Sequence, residues 1–186
     1  MALTPSSMLP IGTTASDFLL PDTVSGDNLS YERVEGDRGT VILFICNHCP
    51  YVLHIRDALM SLAREYMGRG VGFAAVSSND ADSHPEDGPE RMAEVAKQID
   101  MPFPYLHDAT QDMARAYRAA CTPDIFVFDA GRRLVYRGRF DGATPGNDVP
   151  VTGADLRTAL DALLVGGMVP EDDQLPSMGC NIKWAG

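Results

Sequence analysis

The run Thr40–Cys46, TVILFIC, constrains the fold most, because apolar residues fall on both of its faces. A strand of that kind is buried on two sides, so its sheet must be covered by two layers. The residues after the run sharpen the constraint. Pro50 suits the first helical position, where its missing N–H costs nothing. Beyond it Val52, Ile55, Leu59, Leu62 and Tyr66 recur at intervals of three and four. That spacing predicts an amphipathic helix ending near Gly68 or Gly70. Between strand and helix stands Cys46-Asn47-His48-Cys49.

The remaining chain continues the alternation. The first thirty residues, rich in Gly, Ser, Thr, Pro and Asp, read as an extended arm with short strands and turns. Val71–Ser77 reads as a strand, Asn79–Pro89 as an exposed loop and Glu90–Ile99 as a helix. Pro102 and Pro104 force extended chain toward Leu106. Asp112–Ala120 reads as a short helix. Ile125–Phe128 and Leu134–Tyr136 form an antiparallel hairpin around Asp129-Ala130-Gly131. Thr152 is placed to cap a last helix, with Asp155 three residues on and Leu156, Leu160, Leu163 and Leu164 facing inward. A tail with Pro170, Pro176 and Gly179 carries Cys180. The order implies an α/β fold with a central mixed sheet flanked by helices on both faces. The expected organisation is a single domain over 1–186, with a core of about 9–166, an N-terminal extension and a C-terminal tail, 167–186. Reaction sites in such sheets lie at the carboxyl ends of strands, which is where Cys46 to Cys49 falls.

Charge narrows the partners. The net charge of -11 on 186 residues disfavours nucleic acid and anionic membrane, whose phosphates would be repelled. The most apolar segment, Val41–Ile45, is far too short to cross a bilayer. The N-terminal stretch lacks a basic region followed by a continuous apolar one, so it reads as mature protein and the expected compartment is cytoplasmic. Structural disulfides are rare there, and four cysteines with two of them three apart point to redox or metal chemistry.

A thiolate is the reactive form of cysteine, and an ordinary thiol ionises near pH 8.5. A helix N-terminus offers unpaired N–H groups and partial positive charge, which favour the thiolate. The second cysteine, one turn away, can attack a mixed disulfide and release the product. Protonated His48 would stabilise a neighbouring thiolate and make the disulfide a stronger oxidant. The bland alternative is two small buried hydrophobes. A metal alternative is a copper or zinc module using Cys46, Cys49 and a nearby His, with Cys121 or Cys180 as further donors; structural zinc needs four ligands, and no second C-x-x-C exists. Thr122-Pro123 precedes the hairpin, and by itself reads as a strand-entry proline with a trans bond.

The pattern Cys46-x-x-Cys49-Pro50 with Thr122-Pro123 before a hairpin resembles the thioredoxin superfamily. The resemblance implies a thioredoxin fold, a cis bond at Pro123, and Thr122 and Pro123 flanking the dithiol. Asn47-His48 is similar to the Gly-His pair of protein disulfide isomerases, which are more oxidising than thioredoxin. LPIGTTASDFLLPDTVSG looks like the opening of the peroxiredoxin group (alkyl hydroperoxide reductase/thiol-specific antioxidant). FICNHCPYV and SMGCNIKW look like an uncharacterised branch of it. The departures are specific. Peroxiredoxins carry Pro seven residues and Thr or Ser three residues before the peroxidatic cysteine; aligned on Cys49, those places hold Ile42 and Cys46. Their peroxide-activating arginine lies where this chain has Pro123. Thioredoxin logic makes Cys46 the exposed nucleophile and Cys49 the resolver; peroxiredoxin logic makes Cys49 the attacking sulfur.

The expected function is therefore a thiol–disulfide oxidoreductase acting through Cys46 and Cys49, supported by His48, Thr122 and Pro123. Its substrates are disulfide-containing proteins or small thiols, its reductant an unidentified thiol. No cofactor and no metal is assigned to it. The alternatives are a thiol peroxidase with Cys49 attacking peroxide, and the metal module. Cys121 reads as a buried structural cysteine or a third redox sulfur, Cys180 as a packed anchor beside Trp184 or a resolving cysteine. His54, His84, His107 and the acidic loop Asp80–Glu90 read as surface features, the loop also as an insertion able to shape partner choice. Arg132-Arg133 and Arg137-Arg139 read as charges balancing acidic neighbours on a surface hairpin.

Overall fold

The computed structural model describes residues 3–186. Its elements in chain order are β1 (Leu3–Pro5), β2 (Leu19–Pro21), β3 (Asn28–Ser30), α1 (Tyr31–Val34), β4 (Gly39–Phe44), α2 (Pro50–Met67), β5 (Val71–Ser77) and α3 (Pro89–Gln98). Then come β6 (Tyr105–His107), α4 (Asp112–Ala116), β7 (Cys121–Thr122), β8 (Asp124–Asp129), β9 (Leu134–Gly138), α5 (Ala154–Leu164) and β10 (Met178–Asn181).

The central sheet has the order β6-β5-β4-β8-β9. β4 pairs parallel with β5, and β5 with β6, while the β8–β9 hairpin joins β4 antiparallel. This is the mixed sheet of the thioredoxin fold. Every residue of β4 is buried, and period-two alternation divides them between two cores. Val41 and Leu43 face Val52, Ile55, Leu59 and Leu62 of α2 together with Leu156 and Leu160 of α5. Ile42 and Phe44 face Tyr31, Val34, Met113 and Tyr117 on the other side. Among the described residues no helix is long and apolar enough to cross a membrane.

Several local expectations are corrected. α4 stops at Ala116, and the chain turns through a left-handed Arg118 (φ 52°) to feed β7. Thr152 does not cap α5. Gly153, at φ 69°, is the N-cap, and the Asp141 carboxylate accepts the N–H groups of Thr152 and Gly153, both at 2.7 Å. Arg137 is buried against Glu171 (2.6 Å) and Gln174 (2.8 Å), whereas Arg132 and Arg139 do meet surface acids. The stretch read as a tail supplies β10, which sits between β1 and β7 in a second, three-stranded sheet. In it Cys180 pairs with Thr122, and Asn181 with Cys121.

Candidate active site

β4 delivers the chain to Cys46, and Cys49 is the N-cap residue of α2, with Pro50 behind it and no acidic side chain in the helix's first turn. The unpaired N–H groups there are not offset by a carboxylate of the helix itself. The Thr122–Pro123 bond is cis. Thr122 reaches both sulfurs: the Cys49 thiol donates to its carbonyl at 3.0 Å, and its hydroxyl lies 3.5 Å from Cys46 Sγ. All four cysteines are buried, and none of them forms a disulfide with another. Cys46 is only 2% exposed, so the exposed nucleophile of thioredoxin logic is corrected here. The residue instead lines a narrow apolar crevice with Val52, Arg56, Met101 and Tyr105.

Cys46 and Cys49, and Cys49 and Cys180, are near enough for each thiol to act on the protonation of the other. The Cys46 thiol draws the Cys49 thiol down, helped by Thr122 and Cys180 against the effect of burial. The same Cys49 contact, then burial, then the Asp87 carboxylate push Cys46 up. A carbonyl at 3.0 Å opposes full charge on Cys49, since it accepts an S–H and repels a thiolate. The pair therefore behaves as one unit that loses its first proton early and holds the second late. Burial, then the contact with Cys49, pushes Cys180 up to about 11. Cys121 lies deeper, its pKa raised by burial and its thiol turned to the Pro123 carbonyl at 3.5 Å.

The loop after β5 is part of the site. Asp87 is fully buried and accepts from the Asn47 N–H (2.8 Å), from Asn79 Nδ2 (2.7 Å) and from His48 Nδ1 (2.7 Å). The rings of His48 and His84 stack at 5.5 Å, and Asn47 Nδ2 donates to the Glu86 carbonyl at 2.8 Å. The loop is largely exposed as expected and His84 lies half-buried within it, but Asp87 turns inward, where three donors from the active-site segment and from just after β5 compensate a buried carboxylate. Cys46, His48 and Asp87 offer metal-ligating atoms within 4.8 Å of one another. Asp124, directly after Pro123, is a second buried acid. One of its oxygens has no partner among the described residues, and burial pushes its carboxyl up to about 7. His54 is half-buried on α2, and His107, half-buried at the end of β6, is pushed down by burial. A cleft of about 470 Å³, lined by Asp37, Arg38, Asp129 and Gly166 at the far end of β4, holds neither cysteine nor histidine.

Comparison with known proteins extends this geometry. No curated protein matches the chain. An uncharacterized conserved protein from Geobacillus kaustophilus is 50% identical, with a TM-score of 0.97 over 100% of this chain and 97% of that one. A hypothetical protein from Sinorhizobium meliloti is 48% identical, with a TM-score of 0.94 over 98% of both chains. Peroxidoxin BcpB from Mycobacterium tuberculosis shares the fold at 19% identity and a TM-score of 0.61, over 84% of this chain and 96% of that one. Residues 11–137, more than half the chain and enclosing both dithiol cysteines and Pro123, match the AhpC/TSA family. Thiol redox chemistry is accordingly its general function, and the chain belongs to the AhpC/TSA family.

Proposed function

We propose that the protein is a thiol–disulfide oxidoreductase in which Cys46 attacks, Cys49 resolves and Cys180 is a third exchanging sulfur. The observation that carries this reading is the convergence of three cysteines on Thr122, whose hydroxyl lies 3.5 Å from Cys46 Sγ, whose carbonyl accepts the Cys49 thiol at 3.0 Å and whose strand partner is Cys180. Cys46 is preferred as attacking group because it lines the crevice and has the Thr122 hydroxyl at 3.5 Å to donate to its thiolate. Cys49 has no exposed surface and faces a carbonyl.

In the first step the Cys46 thiolate bonds to one sulfur of a substrate disulfide and the other sulfur leaves as thiolate. Cys49 then loses its proton and attacks Cys46 Sγ, forming Cys46–Cys49 and releasing the second substrate thiolate. The substrate gains two electrons and the dithiol loses them. Attack of the Cys180 thiolate on Cys49 would transfer the bond to Cys49–Cys180 and return Cys46 as thiolate with no net change of oxidation state. An external thiol then reduces the enzyme. The substrates are proteins or small molecules containing disulfides, and the working compartment is the cytoplasm. Cys121 stays structural in this scheme, because its thiol is turned to backbone carbonyls.

The test is reduction of a small disulfide by Cys46→Ser, which is expected to fall to the uncatalysed rate; unchanged turnover would remove the proposal. The neighbouring Cys46, Thr122 and Cys180 side chains that draw the Cys49 thiol down favour a second reading, peroxide reduction at Cys49. There the Cys49 thiolate takes one peroxide oxygen, an alcohol or water leaves, and Cys46 condenses with the sulfenic acid to give a disulfide and water. Sulfenic acid trapped at Cys49 by stoichiometric, dilute peroxide supports that reading; a need for large excess excludes it.

A further inference from the structure

We propose that the reduced protein binds one borderline divalent transition-metal ion, zinc(II) being the type ion, through Cys46 Sγ, His48 Nδ1 and Asp87. This goes beyond the oxidoreductase reading and stands or falls separately from it. The choice of ring nitrogen on His48 is the first reason. In a histidine that merely polarises a thiol, the carboxylate takes one nitrogen and the sulfur meets the other. Here both approach Nδ1: Asp87 Oδ2 at 2.7 Å and Cys46 Sγ at 4.0 Å. Glu86 Oε1 adds a fourth donor 3.6 Å from the same atom. Donors that converge on one point instead of forming a line suit a single cation.

The distances are close to what zinc needs. Metal bonds of about 2.3 Å to sulfur and 2.0–2.2 Å to nitrogen and oxygen, in a tetrahedron, put S···N near ~3.6 Å and N···O near ~3.3 Å. Cys46 Sγ would close on Nδ1 by a few tenths of an ångström and the carboxylate would move out from Nδ1 by about half of one, while the sulfur and the carboxylate, which lie within 4.8 Å of each other, would close to ~3.6 Å. One thiolate, one imidazole and carboxylate oxygen form a donor set for zinc or cobalt(II) and are too hard a set for copper(I). The outer contacts also exist: Asn47 N–H and Asn79 Nδ2 hold the Asp87 carboxylate at 2.8 and 2.7 Å. Asp87 is fully buried, His48 partly, and Glu86 is half-exposed, so the fourth position opens toward solvent.

Binding is not a redox step. The metal–sulfur bond replaces the Cys46 S–H, whose proton goes to water, and the ring proton moves from Nδ1 to Nε2 through solvent. The Cys46–Cys49 disulfide has no thiolate to offer, so oxidation of the pair releases the ion. The site therefore reads the redox state of the dithiol, and metal occupancy blocks the Cys46 sulfur. It differs from a chelate through Cys46 and Cys49 together, because Cys49 is engaged with Thr122 and Cys180.

The test is equilibrium dialysis of the full-length reduced chain against zinc(II), with cobalt(II) as spectroscopic probe. The expected result is one ion per chain and a tetrahedral cobalt spectrum with charge transfer from one thiolate. Cys49→Ser should retain the ion within about threefold, and Cys46→Ser and the oxidised protein should bind none. Asp87→Asn and His48→Ala should each weaken binding by at least 10-fold, the least that loss of a ligand should cost when loss of an outer contact alone costs about 10–100-fold. His48→Ala keeps the test open should Asp87→Asn not fold. No retained metal on reduced wild type, unchanged binding by His48→Ala, or loss of the ion in Cys49→Ser would each overturn the assignment, the last by moving the site onto the dithiol.

Discussion

Gly179→Ala should unlock the third sulfur from the dithiol. A Cβ at Gly179 would lie 2.0 Å from the Thr122 carbonyl oxygen, 2.7 Å from its carbon and 3.3 Å from Pro123 Cδ. Two of those atoms are backbone, so no side chain can swing away; β10 or the cis-proline segment must shift by more than an ångström. The pairing of Cys180 with Thr122 then loosens, together with the Thr122 carbonyl that receives the Cys49 thiol. Overpacking of this kind costs about 1–3 kcal/mol, and each weakened ladder hydrogen bond costs roughly 1 kcal/mol more. A total of about 2–4 kcal/mol corresponds to a fall in Tm of roughly 5–15 °C for a chain of this size. Calorimetry measures the stability, and peptide mapping of the oxidised Cys46→Ser background measures loss of the Cys49–Cys180 bond. Gly146→Ala is the control, since nothing lies within 4 Å of its Cβ, and its effect should stay within about 0.5 kcal/mol. Wild-type Tm and undiminished Cys49–Cys180 formation in Gly179→Ala would refute the reasoning.

The buried acids and Cys180 give further tests. Burial raises the Asp124 carboxyl to about 7 in the folded state, above its unfolded value, so folding binds the extra proton. Stability is therefore lost as pH rises from about 4 to about 7, with a ceiling of roughly 4 kcal/mol, and is level above that. Asp124→Asn should flatten the Tm–pH curve over this window; a variant as pH-dependent as wild type would contradict it. Asp141→Ala leaves the N–H groups of Ala143, Thr152 and Gly153 without their acceptor and should cost about 3–5 kcal/mol in denaturant unfolding, whereas Thr152→Ala should cost under 1 kcal/mol. Cys180→Ser should leave the first oxidation of the dithiol intact and slow multiple turnover, as read by comparing single-turnover with steady-state rates.

The parts of this molecule that are legible in the sequence are those with a period. The two-faced apolar run of β4, the three-and-four spacing of α2 and the leucines of α5 each report burial directly. β1, β7 and β10 are two to four residues long and have no period to read, so the second sheet emerges only in three dimensions. Asp87 is hidden for a different reason. An acid among Asp, Ser, Pro and Gly looks solvated, and its burial depends on donors forty and eight residues away. One signal for it does exist: β4 and β5 are parallel neighbours, so the loop after β5 must emerge beside the segment after β4, which carries the cysteines. Cys180 is visible as a cysteine beside a glycine, but only the close approach of Gly179 to Thr122 explains why the glycine is there.

The central claim is that Cys46 and Cys49 are one exchanging pair with Cys180 behind them, and disulfide mapping tests it most directly. The reduced chain would be treated with one equivalent of a small disulfide, quenched in acid, alkylated and digested. The expected products are an intrachain Cys46–Cys49 bond in wild type, Cys49–Cys180 in Cys46→Ser, and a Cys121 that alkylates only after unfolding. Disulfides that bypass Cys46 and Cys49, or a pair that stays reduced, would contradict it.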